Sequence, residues 1–176
     1  MVEWFRSERH KGGAELAGFH VAEHPVFDSL ASRNALNSPN VIESVLAHES
    51  VRDSLPHFQI SSPIEYRDFG RRLRGWDVVW PYQVAGDWAT YLDSGGFYAH
   101  PDHASKEDRE KRGTAAMNTA MSAYKALTGD RYLPDVCAYR TSDAWCGWFP
   151  GVSNGTWVVY DSGLRLLWIL AITDMD

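Results

Sequence analysis

The chain has 176 residues, 44% of them hydrophobic and 23% charged, with 17 Lys and Arg against 23 Asp and Glu for a net charge of −6. That length suits one domain able to bury roughly two thirds of its unfolded surface, and the composition excludes a disordered chain. The acidic balance speaks against an extended nucleic-acid footprint, which needs a basic surface to release counterions from phosphate, and favours a basic partner.

The opening Met1-Val2-Glu3-Trp4-Phe5-Arg6 lacks the basic start, apolar stretch and small-residue cleavage site of a signal peptide. The longest apolar run, Leu164 to Ile172 with Arg165 inside it, is about half of the roughly 20 residues that a membrane-spanning helix requires. A cytoplasmic location is therefore expected. No internal repeat or low-complexity linker interrupts the chain, so residues 1–176 are read as a single domain, helix-rich over 1–128 and β-rich over 132–176.

In chain order, Glu15 to His24 is a short helical segment stopped by Pro25. A second helix starts at Ser38-Pro39, with Ser as N-cap and Pro at the first helical position, and places Val41, Ile42, Val45 and Leu46 on one face. Ser62-Pro63-Ile64-Glu65 has capping-box spacing and opens a third, with Ile64, Phe69 and Leu73 turned inward. Trp76, Val78 and Trp80 alternate with Asp77 and Val79 as in a strand. The strongest helix runs from Ser105 to Thr128, with Glu107 and Asp108 at its positive end, Gly129 as its stop, and Met117, Ala120, Met121, Tyr124 and Leu127 as its core face.

Beyond Asp130 the pattern turns to short β-rich runs: Val136 to Tyr139, Ala144 to Phe149, Thr156 to Tyr160 and Leu164 to Ile172, with Asn154-Gly155 as a hairpin turn. The predicted class is α+β, N-terminal helices packed on one face of a C-terminal four-stranded antiparallel meander. A first hairpin loop centred on Thr141-Ser142 would set Cys137 opposite Cys146. Two cysteines are too few for a disulfide scaffold, and both are read as reduced core thiols.

Three constellations can carry function. His20-Val21-Ala22-Glu23-His24 has the spacing of an inverted zinc-peptidase motif, two His at i and i+4 with Glu as base. His100 and His103, folded against it, would supply further zinc ligands. Cys146 has no His after it in the chain and lies inside a predicted strand, so it is read as structural rather than nucleophilic. Arg67, Arg71 and Arg74 recur at helical spacing and can grip a carboxylate or phosphate. Trp76, Trp80, Trp88 and Tyr91 come directly after them, in a chain holding eight Trp, eight Tyr and seven Phe. Aromatics beside an arginine cluster form a recognition surface.

No G-x-x-x-x-G-K-[ST], G-x-G-x-x-G or C-x-x-C motif occurs. The leading expectation is a non-enzymatic, cofactor-free protein-binding inhibitor, such as a toxin-immunity protein, antitoxin or anti-CRISPR-like counter-defence protein, docking on a basic partner through Arg67, Arg71, Arg74, Trp76, Trp80, Trp88 and Tyr91. The alternative is a small zinc-dependent enzyme using His20, Glu23, His24, His100 and His103. A third reading takes the aromatics as stacking platforms for a glycan or single-stranded nucleic acid.

Overall fold

The computed structural model describes residues 1–9, 12–38, 40–55, 75–96, 105–132, 134–146, 148–149 and 153–174. Its centre is a five-stranded sheet, antiparallel throughout, formed by β1 (Gly13–His20), β2 (Asp77–Val79), β3 (Val136–Thr141), β4 (Gly155–Asp161) and β5 (Leu166–Thr173) in the order β1-β5-β4-β3-β2. The consecutive strands β3, β4 and β5 are the C-terminal meander; β1 and β2, from the first half of the chain, are added at its two edges. The predicted four-stranded sheet is thus five-stranded, and only three of its strands come from the C-terminal run.

Helices cover both faces of the sheet rather than one. On one face lie α1 (Val2–Glu8), α5 (Pro81–Ser94) and α6 (Lys106–Thr128), whose Phe5, Val84, Trp88, Leu92, Ala116, Ala120 and Tyr124 pack against Val136, Ala138, Trp157, Val159, Leu170 and Ile172. On the other lie α2 (Pro25–Ala31), α3 (Val41–Leu46) and α4 (Glu49–Ser54), whose Ala31, Ile42, Leu46 and Val51 meet Cys137, Tyr139, Val158, Tyr160, Leu167 and Ile169. Apolar residues at both parities of a strand require cover on both sides, and all seven residues of β4 are buried. Among the described residues no helix is long and apolar enough to cross a membrane.

Several expectations are corrected. Glu15 to His24 is not helical: Gly13–His20 pairs over its full length with β5, Ala14 and Leu16 facing one core and Ala17 and Phe19 the other. Beyond it Arg165 holds the chain extended, its Nε donating to the Val21 carbonyl at 2.9 Å and its Nη2 to that of Ala22 at 2.7 Å. Gly13 and Gly18 already weaken a helix there.

Ala144 to Phe149 is not a strand either. Its described residues, 144–146 and 148–149, are irregular chain folded over the sheet, with Trp145 and Phe149 buried and the Trp145 indole donating to Thr156 Oγ1 at 2.7 Å. Consequently Cys137 faces Tyr160 across the ladder, not Cys146, and both cysteines are free and buried. Asn154-Gly155 is no hairpin turn: neither residue has a positive φ, Gly155 opens β4, and the turn between β4 and β5 is 162–165, with Arg165 at φ 54°.

The helix signals near Ser38 and Ser105 correspond to real helices. α3 begins slightly later than expected, with Asn40 as N-cap, while Ile42 and Leu46 are buried and Val41 and Val45 pack beside them. α6 starts at Ser105, whose Oγ accepts from the Asp108 N–H at 3.1 Å, and stops at Gly129 in the left-handed region, φ 60°. Its buried stripe is Ala116, Ala120, Tyr124 and Thr128, which turns Met117 and Met121 outward at 44% and 45% exposure. The two alanines keep the buried side of the helix thin, so the stripe is rotated from the expected one. The helix expected after Ser62 lies outside the described residues.

Candidate docking surface at the β2 edge

Four aromatics are expected from the sequence to share a recognition surface, and burial separates them. Trp76 is 7% exposed and joins the core beneath α3, its carbonyl accepting from Asn37 Nδ2 at 3.1 Å. Trp88 is 1% exposed and packs against Tyr124, ring centroids 6.3 Å apart. Tyr91 is half-buried, set edge-on to Trp157 at 5.0 Å, and its hydroxyl donates to the Asn154 carbonyl at 2.9 Å. Burial raises its phenol pKa above the ordinary value, against the lowering pull of Arg140 and Arg9. These three are structural. Only Trp80 is open, at 47% exposure.

Trp80 is presented by its position between two elements. The chain leaves β2 at Val79 and enters α5 at Pro81, whose missing N–H and fixed φ suit a first helical position. The Gln83 N–H donates to the Trp80 carbonyl at 2.7 Å, and the Trp80 N–H donates to Gln83 Oε1 at 3.4 Å. The backbone is thereby pinned while the indole projects outward. Tyr82, 62% exposed, stacks with it, centroids 6.1 Å apart and planes 10° from parallel. Tyr82 is not among the site residues expected from the sequence. Neither is α5 among the expected helices, although Val84, Ala85, Trp88, Ala89 and Leu92 have helical spacing after a proline start and could have revealed it.

Beside this pair runs a groove of about 550 Å³. The edge strand contributes Asp77, Val78 and Val79 and its neighbour contributes Arg140; α5 contributes Gln83, Gly86, Asp87 and Thr90, and α6 Met117. Val78 is 42% exposed and Met117 44%. Asp87 Oδ2 accepts from Arg140 Nη1 at 3.1 Å and from the Trp157 indole at 3.4 Å. Asp77 stands opposite Arg140 in the ladder, so the groove lining holds two carboxylates, one of them paired with Arg140, and one guanidinium, a net negative charge. Among the described residues no strand pairs with the outer side of β2.

The other predicted constellations are not assembled. His20 ends a strand and His24 caps α2, its Nδ1 accepting from the Phe27 N–H at 3.3 Å. The two His therefore lack the shared helix face that the motif requires, and Glu23 is exposed between them. Among the described residues no three His, Cys, Asp or Glu side chains gather as a metal site. His100, His103, Arg67, Arg71 and Arg74 lie outside the described residues. Burial pushes the Cys146 thiol up to about 12 and raises that of Cys137, whose Sγ donates to the Ala31 carbonyl at 3.2 Å. Neither is a thiolate at neutral pH.

No family model matches the chain, and no curated protein matches it. Two crystal structures of citrus MAF1, at 12% identity, cover 92% of this chain. The form in space group C 2 2 21 is covered over 86% of its own chain with a TM-score of 0.45, and the form in P 31 2 1 over 84% with a TM-score of 0.38. Likeness at this level bears on neither the surface nor its use.

Proposed function

We propose that this protein is a non-enzymatic binding protein that docks on a protein partner through the Trp80–Tyr82 pair and the apolar residues beside it, and that it acts there as an inhibitor of a basic partner, in the manner of an immunity or counter-defence protein. The observation that carries this reading is the stacked, solvent-open Trp80 and Tyr82 pair on a pinned backbone. Large aromatics held in one orientation lose little entropy on binding and supply most of the energy at protein interfaces. Val78 and Met117, both exposed, extend the apolar area. The carboxylates of the groove and the net charge of −6 complement a basic surface and would speed encounter with it.

The test is affinity capture from lysate of the native source, comparing the wild-type chain with a Trp80→Ala/Tyr82→Ala variant. The expected result is one stoichiometric partner, retained at low salt, weakened at moderate salt and lost from the variant. Equal capture by both proteins, or turnover of a substrate with no partner bound, overturns the proposal.

A further inference from the structure

The groove beside β2 lies between an edge strand and a helix, and this geometry limits the form a partner can take. Asp77 and Val79 point to the α5 side of the sheet, as does Arg140 opposite Asp77, while Val78 points to the other side. The α5 wall is built from Gln83, Gly86, Asp87 and Thr90, one face of the helix at spacings of three and four residues. Gly86 leaves a gap in it: a Cβ placed there meets nothing within 4 Å. An extended chain laid along β2 would have its backbone groups answered by the strand edge. Its alternate side chains would face the helix wall, as happens when peptides add a strand to an open sheet.

Resting on the docking reading, we infer that the partner inserts an extended segment as a sixth strand against β2, with basic side chains turned to Asp77 and Asp87 and apolar ones beside Val78. Two carboxylates against one guanidinium select Lys or Arg over Asp or Glu in the segment. The exposed Trp80 and Tyr82 lie directly after the strand and cover the neighbouring part of the partner.

The experiment is an NMR titration of the full-length, isotope-labelled chain with the capped hexapeptide KVTVKV, its acidic counterpart EVTVEV, and a KVTVKV analogue N-methylated at alternate residues. The expected result is saturable binding of KVTVKV with a Kd below about 1 mM, with shift changes centred on 77–79 and Gly86. Binding should be at least about tenfold weaker for EVTVEV and absent for the methylated analogue. Gly86→Leu, which fills open space and replaces a helical glycine, should block KVTVKV while leaving the fold intact; Asp77→Lys should reverse the charge preference. Absence of saturable shifts at β2, or equal binding by the methylated analogue or by Gly86→Leu, overturns the inference. Capture of the natural partner separates the two readings: loss in Trp80→Ala/Tyr82→Ala with full retention in Gly86→Leu leaves the docking surface standing and removes the added strand.

Discussion

β4 and β2 belong to one sheet and have opposite tasks. β4 sits at its centre with all seven residues buried, Trp157 and Val159 against α5 and α6, Val158 and Tyr160 against the opposite layer. β2 sits at the edge with three residues, two of them exposed. A buried strand is held by packing on two faces and hydrogen bonds on two edges. An edge strand leaves one row of backbone groups for another chain. Trp157 within β4, at 0% exposure, and Trp80 directly after β2, at 47%, mark the contrast. Aromatic richness is therefore not one property here: among the described residues most rings hold the sheet between its layers, and the Trp80–Tyr82 pair is turned outward.

Substitutions can break that comparison. Trp157→Ala, which leaves a cavity in the core beneath α5 and α6 and removes a ring contact with Tyr91, should cost about 4 kcal/mol, read from denaturant unfolding. Asp161→Asn comes next in size. This carboxylate, at 0% exposure, accepts from Arg131 Nε at 2.7 Å and from the Leu164 N–H at 2.9 Å, closing the turn after β4. Its loss should cost about 2 kcal/mol.

A smaller effect depends on pH. Burial raises the Glu8 pKa, but hydrogen bonds from Arg112 at 2.8 and 2.5 Å, with its charge, outweigh burial and leave the net shift downward. A carboxylate lowered on folding contributes stability that is present above its unfolded pKa and lost as pH falls through its folded pKa. Melting temperature should therefore fall more steeply in wild type than in Glu8→Gln as pH drops below the ordinary carboxylate range, and the two should differ most near neutrality. At the edge, Trp80→Ala should change stability by less than about 0.5 kcal/mol while abolishing partner capture. A large loss of stability there would mean that Trp80 is a packing residue like Trp157. The buried thiols sharpen the same division: Cys137 and Cys146 should resist alkylation in the native protein at pH 8 and react fully once unfolded.

Legibility of the site divides along the same line. Trp80 is legible because it lies in a dense aromatic string, but Trp76, Trp88 and Tyr91 in that string serve the interior. Alternation predicts which residues share a face and says nothing about which face is covered. Tyr82 and Met117 escape notice as surface residues; the stripe of Ala116, Ala120, Tyr124 and Thr128 that displaces Met117 is visible in the sequence only once α5 is known to lie against α6.

By itself the sequence determined α6 with its Ser105 cap and left-handed Gly129 stop, the apolar face of α3, and strands β3, β4 and β5, since caps, turn residues and side-chain periods act over a few residues. The tertiary structure alone decided that Gly13–His20 is a strand, because its partner is β5 at the far end of the chain and Arg165 clamps Val21 and Ala22 just beyond it. It also decided that Trp145 and Phe149 lie in irregular chain over the core, that helices lie on both faces, and that Trp80 rather than Trp88 meets solvent. Burial depends on what packs opposite a residue, and for this chain the opposing element is distant in sequence.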